Sequence, residues 1–124
     1  MDKKYRLLII DDNEEILILL KRFLAKKGYI VLSATNGLDA LKLMEAASDE
    51  FDLVITDLVM PNISGVAITA IIKKQNSKLP VIAITGYGEQ PEALAKEVHA
   101  DVVMEKPFKL EELENHISRL LIKS

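Results

Sequence analysis

Three short runs in this chain are apolar without alternation: Leu7-Leu8-Ile9-Ile10, Leu53-Val54-Ile55-Thr56 and Val81-Ile82-Ala83-Ile84. A strand with one wet face alternates apolar and polar side chains, so a run with no polar face must be covered on both sides. Longer segments with apolar residues at helical spacing lie between these runs. Strands are expected at Arg6–Ile10, Tyr29–Ala34, Leu53–Thr56, Val81–Thr85 and Val102–Met104, each followed by a helix. Pro80 opens the fourth, a strand position where a missing N–H costs little. Such alternation, with right-handed crossovers, builds a parallel sheet with helices on both faces.

The first helix is expected to start at Asp12, with Glu15 three residues on at capping-box spacing, and to stop at Gly28, which suits the left-handed turn after a helix. The second covers Gly37 to Ala47, with Leu38, Leu41 and Met44 on one stripe; the third carries Val66, Ile68, Ile71 and Ile72. The fourth begins near Pro91 and has a thin stripe, mainly Leu94 and Val98, which makes it the least firmly held. The fifth turns Leu110, Leu113, Ile117, Leu120 and Leu121 inward and Glu111, Glu112, Glu114 and Arg119 outward.

The expected architecture is α/β: a doubly wound, flavodoxin-like, five-stranded parallel sheet in the order 2-1-3-4-5 with five helices. In that order ligands bind beyond the carboxyl ends of the strands, at the switch point between strands 1 and 3. A length of 124 residues fits one domain, expected to span 1–124. A hydrophobic share of 49% argues against a disordered chain, and the absence of cysteine excludes a disulfide framework or a thiolate metal site. No apolar run is long enough to span a bilayer, so a cytoplasmic protein with no membrane association is expected. With a net charge of -3 and scattered lysines, direct nucleic-acid binding is not expected.

The chemistry sits where the strands end. The first run leads into Asp11-Asp12, the third into Asp57, the fourth into Thr85-Gly86 and the fifth into Lys106-Pro107-Phe108. Singly, each has a bland reading: Asp12 as a helix cap, Asp57 as a turn residue, Thr85 as an ordinary strand residue, Lys106 as a solvated lysine. Their joint placement on neighbouring strand ends outweighs those readings. Strand 2, by contrast, ends in Ser33-Ala34-Thr35-Asn36-Gly37, an ordinary turn into a helix.

Carboxylates brought that close repel, each pair by about 4 kcal/mol at 4 Å with an effective dielectric of 20. Either their pKa values rise or a cation sits among them. Oxygen ligands without His or Cys select a hard ion, and Mg2+ binds through one or two carboxylates plus phosphate while keeping several waters. Three aspartates, one magnesium ion and Lys106 sum to zero formal charge. A carboxylate in such a site can act as a nucleophile and become an acyl phosphate.

Across essentially its full length the chain resembles the receiver domain of two-component response regulators. The resemblance is carried by Asp11-Asp12, by Asp57 with Met60-Pro61 and Gly65, by Thr85-Gly86, and by Lys106-Pro107-Phe108. It implies that Asp57 accepts phosphate from a phosphohistidine of a histidine kinase or phosphotransfer protein. It implies that Asp12 binds magnesium directly and Asp11 largely through water, with Asp57 and the Val59 backbone carbonyl as further ligands. Lys106 would pair first with Asp57 and then with the phosphoryl oxygens, aimed inward by a cis Lys106–Pro107 bond. Thr85 would donate its hydroxyl to the phosphoryl group, and Gly86 would leave the approach to phosphorus open.

A switch follows from the charge change. Phosphorylation turns a −1 group into one of about −2, which favours new donors. Drawing Thr85 inward would move the Gly86–Gln90 loop and the fourth helix, so the downstream protein target is expected on the face of the fourth helix, fifth strand and fifth helix. One position departs from the family pattern: three residues before the lysine, where an aromatic is common, stands Val103, stiff and without a polar tip. Tyr87 is either a loop residue or part of the gating. His99 and His116 are expected to be satisfied or solvated rather than phosphorylated.

The first helix offers a further feature. Ile16-Leu17-Ile18-Leu19-Leu20 cannot all face one sheet, so Leu17 or Ile18 is expected at the surface. Extra contact with the fifth helix and a docking patch for a kinase or phosphotransfer helix are both open. Two rival functions also stand. An aspartate-nucleophile phosphohydrolase usually has a second aspartate two residues after the nucleophile, where this chain has Val59; a flavodoxin-like small-ligand binder would not need three clustered acids. A signalling switch with only self-catalysed phosphoryl transfer and dephosphorylation is the expectation, not an enzyme. No output domain is expected after the fifth helix, and both a stand-alone receiver and one from a longer regulator or hybrid kinase fit.

Overall fold

A computed structural model describes residues 4–47, 50–86 and 99–123. The elements are β1 (Arg6–Ile10), α1 (Glu14–Lys26), β2 (Ile30–Ala34), α2 (Gly37–Ala47), β3 (Leu53–Asp57), α3 (Gly65–Gln75), β4 (Val81–Thr85), β5 (Val102–Glu105) and α4 (Leu110–Lys123). All strand pairs are parallel and the order is β2-β1-β3-β4-β5, as the alternation of runs predicts. The helix expected as the fifth is α4 here. The helix expected near Pro91, with Leu94 and Val98, and Tyr87 before it, lie outside the described residues.

The unbroken apolar runs divide between two cores because successive side chains point to opposite faces. Leu7 and Ile9 join Leu17, Leu20 and Leu24 of α1 and Leu113, Ile117 and Leu121 of α4. Leu8 and Ile10 join Ala40 and Met44 of α2 and Ile68 and Ile72 of α3. Every residue of β3 and β4 is buried. At about 1.5–3 kcal/mol for each fully buried Leu or Ile, these central strands anchor the fold.

Local chemistry moves several expected positions. The cap of α1 is Asn13, not Asp12: its side chain accepts the N–H groups of Glu15 and Ile16, and the helix starts at Glu14. The other end of α1 follows expectation. Gly28 has φ 97°, its N–H reaches the Ala25 carbonyl, and the Tyr29 N–H reaches that of Leu24, so the orphan carbonyls of the last turn are satisfied. On α2 the inward stripe is Gly37, Ala40 and Met44, whereas Leu38, expected on it, is 55% exposed. The cause is crowding: a Cβ at Gly37 would lie 2.8 Å from Ile68 and 2.9 Å from Ile63, so the helix packs on its smallest residues. Glu114, expected outward, turns instead to accept hydrogen bonds from the Tyr29 hydroxyl at 2.8 Å and from Ser118 at 2.6 Å. In α1 it is Leu17 that is buried and Ile18 that is exposed.

Candidate functional site

The register of the sheet decides which strand ends share a rim. Ile10 lies opposite Thr56, Asp57 opposite Ile84, and Thr85 opposite Glu105. Asp11 and Asp12 therefore leave β1 beside the end of β3, while Thr85 and Lys106 leave the next two strands on its other side. Backbone bonds carry the ladder past the strand ends: Asp11 N–H to the Ala34 carbonyl at 3.2 Å, Leu58 N–H to Ile84 at 2.9 Å, Lys106 N–H to Thr85 at 2.9 Å.

One carboxylate oxygen each from Asp11, Asp12 and Asp57 lies within 4.8 Å of the others. Asp11 and Asp57 are buried and Asp12 is exposed. Lys106 reaches over both buried acids, with Nζ 3.3 Å from Asp57 Oδ2 and 3.5 Å from Asp11 Oδ2; the reading from sequence anticipated only the Asp57 contact. The Lys106–Pro107 bond is cis. Asp11 also accepts the Asn13 N–H at 2.9 Å, and Asp57 accepts that of Val59 at 3.2 Å. Burial, the largest influence, pushes the Asp11 carboxyl above its ordinary range; the Asn13 N–H and Lys106 pull it down, and Asp57 and Asp12 push it up. An all-oxygen donor set, partly buried and more negative than Lys106, its one cationic partner among the described residues, can balance, fits a hard divalent cation.

Two further residues frame the cluster. Thr85 is fully buried, and its hydroxyl has no hydrogen-bond partner among the described residues. Leaving a buried hydroxyl unpaired costs about 1–3 kcal/mol, so a group that accepts from it would gain by arriving. Gly65 lets the loop after β3 fold back onto Asp57: a Cβ there would lie 1.8 Å from the Asp57 carbonyl oxygen and 2.6 Å from Leu58 Cα. Its N–H binds the Leu58 carbonyl at 3.0 Å. Gly65 belongs to the motif that follows the third strand, and this close approach is its physical reason, invisible until the loop closes. Around Gly86, by contrast, no described atom lies within 4 Å of a built Cβ.

The remaining candidates sit elsewhere. Val59 is exposed at the mouth of the site, and Val103 is half-buried against Leu58 and Ala83. His99 precedes β5 at the amino end of the sheet, and His116 meets Arg119 on α4. Ile18 lines a shallow groove with Leu17 and Lys21 of α1 and Ser33 and Thr35, which leads to the rim at Glu14. No described helix is long and apolar enough to cross a membrane.

Comparison with known proteins converges on one family. The family model for the response regulator receiver domain matches residues 7–118. The alkaline phosphatase synthesis transcriptional regulatory protein PhoP of Bacillus subtilis is 32% identical over 100% of this chain and 50% of its own length. The sensor kinase CckA of Brucella abortus is 31% identical over 94% of this chain and 12% of its own. The chain thus spans half or less of the curated relatives named here. Among solved structures, a response regulator receiver domain protein from Clostridium thermocellum superposes with TM-score 0.90 at 32% identity, covering 96% of this chain and 95% of its own. The response regulator TrrA of Thermotoga maritima, solved in complex with Mg(2+)-BeF, gives TM-score 0.81 at 34% identity, with 94% and 98% covered.

Proposed function

We propose that this chain, which belongs to the response regulator receiver family, accepts a phosphoryl group on Asp57 from the phosphohistidine of a histidine kinase or phosphotransfer protein. The family is one of signalling switches rather than enzymes with an external substrate. The observation that carries the reading is the joining of Asp11, Asp12 and Asp57 in one cluster under Lys106. In the proposed step an Asp57 carboxylate oxygen forms the new bond to phosphorus. The histidine nitrogen–phosphorus bond breaks, and the imidazole keeps the electron pair and takes up a proton.

Asp11, Asp12, Asp57 and the Val59 carbonyl would hold Mg2+. When bound, it would neutralise charge on the carboxylates and the transferring phosphoryl oxygens. Lys106 stands over Asp57 and would follow the charge to the phosphoryl oxygens. The Thr85 hydroxyl, without a partner among the described residues, would supply the next donor. Moving Thr85 would shift the loop after it and change affinity for a downstream protein at the face containing β5 and α4. The exposed Ile18 and its groove beside α1 would seat the donor's helix next to Asp57.

The test is incubation with acetyl phosphate and Mg2+, followed by intact-mass analysis. A single labile phosphoryl group, lost in Asp57→Asn, supports the reading. Release of phosphate from a broad range of monoesters would favour a phosphohydrolase, and no adduct under any donor would sink the proposal.

A further inference from the structure

Asp11, Asp12 and Asn13 stand in succession before α1, and all three are good helix-capping types. Only one can hold the cap, and that choice sets what the neighbouring carboxylates are free to do. Asn13 holds it, with φ -91° and ψ 106°. Its Oδ1 accepts the Glu15 N–H at 3.0 Å and the Ile16 N–H at 3.2 Å. Its carbonyl takes the Leu17 N–H at 3.1 Å, and its own N–H is given to Asp11 Oδ1 at 2.9 Å.

A helix begun one residue earlier would draw Asp12 into the cap. Its carboxylate would then turn to the helix N–H groups, with its charge matched by the positive end of the helix dipole. As it stands, no described residue donates a hydrogen bond to the Asp12 carboxylate, and one of its oxygens stays within 4.8 Å of those of Asp11 and Asp57. The amide of Asn13 does this without adding a fourth negative charge to the cluster.

We propose that Asn13 is a positioning residue for the cation site: by taking the helix cap it keeps the Asp12 carboxylate free for Mg2+ and ties Asp11 in place. This rests on the reading that Asp11, Asp12 and Asp57 hold that ion. The test is calorimetric titration of Mg2+ into wild type, Asn13→Ala, Asn13→Ser and Gly28→Ala. The last loosens α1 from its far end, where φ is 97° and a side chain is strained. Asn13→Ala should bind Mg2+ about five- to tenfold more weakly, tenfold being about 1.4 kcal/mol. Asn13→Ser, which retains a capping oxygen, should recover affinity to within about twofold of wild type. Gly28→Ala should lose thermal stability yet keep its Mg2+ affinity. Wild-type affinity in Asn13→Ala, or equal weakening in Gly28→Ala, overturns the inference and leaves the cation site standing. A wild type that does not bind Mg2+ removes both.

Discussion

Replacing Lys106 with methionine keeps most of the side chain's length and deletes its charge, leaving the acids beneath it uncompensated. The ammonium lies 3.3 Å from Asp57 Oδ2 and 3.5 Å from Asp11 Oδ2. At an effective dielectric of 20, each contact is worth about 5 kcal/mol before the cost of desolvation, an upper bound. Lys106 is 29% exposed, so water takes up much of that, and the expected net destabilisation at neutral pH is about 2–3 kcal/mol. The pH dependence has a definite sign. The folded-state pKa of Asp11 is raised above 3.8, mainly by burial, so the folded chain holds that proton more tightly than the unfolded chain. Its penalty is full above the folded pKa and vanishes below the unfolded one, so this contribution to stability falls as pH rises through that window. Lys106 is one of the groups that lower the Asp11 pKa, so its loss widens the window upward. Urea unfolding of both proteins should therefore show a deficit in Lys106→Met that shrinks as pH falls toward 3.8. At one fixed concentration, about 100 times the wild-type dissociation constant, Mg2+ should stabilise wild type by about 2.7 kcal/mol and Lys106→Met by more, because acids without the ammonium hold the cation more tightly, so the deficit narrows. A deficit unchanged across pH and unmoved by Mg2+ would refute the reasoning, because the lysine would then contribute through packing alone.

Four other substitutions probe separate parts of the molecule. Gly65→Ala should destabilise the fold by more than about 3 kcal/mol in denaturant titrations, since its Cβ meets backbone rather than a movable side chain, whereas Gly86→Ala should fold normally. Thr85→Val removes a buried hydroxyl with no partner among the described residues, so it should raise unphosphorylated stability by about 1 kcal/mol while abolishing any gain in partner affinity with a beryllofluoride mimic. Ile18→Asp should slow phosphotransfer from a donor protein but leave labelling by acetyl phosphate and the unfolding midpoint unchanged, because that side chain is 55% exposed.

Much of this molecule was legible before any coordinate. The apolar runs fixed strand placement to within a residue at each end, because burial on both faces leaves no other pattern for Leu7–Ile10 or Val81–Ile84. Acids and a lysine at neighbouring strand ends were enough to assemble the cluster in advance. What failed was local competition among similar residues. Asp12 and Asn13 are equally good caps by type, and only the position of the first helical turn separates them. Leu38 satisfies a helical stripe on paper, yet the space at Ile63 and Ile68 admits only the Gly37, Ala40 and Met44 side of α2. Glu114 reads as solvent-facing until Tyr29, far away in sequence, brings a hydroxyl to it.

The same residue type does two different jobs at the two ends of this sheet, and backbone polarity explains the division. At the amino ends of parallel strands, unpaired N–H groups face outward and an aspartate finds donors ready. Asp52 accepts the Arg6 N–H at 2.8 Å, and Asp101 accepts the Val81 N–H at 2.8 Å together with the Lys73 ammonium at 2.6 Å. Their charges are answered by groups the fold must satisfy in any case. At the carboxyl ends the exposed backbone groups are carbonyls, which repel an acid. Asp11 and Asp57 each find one loop N–H and share one lysine, and Asp12 finds no donor among the described residues. The residual negative charge there is not answered by the backbone of the described residues. A parallel sheet thus turns one end into a fastening and leaves the other with the unanswered acid charge that the proposed cation site and phosphoryl transfer require.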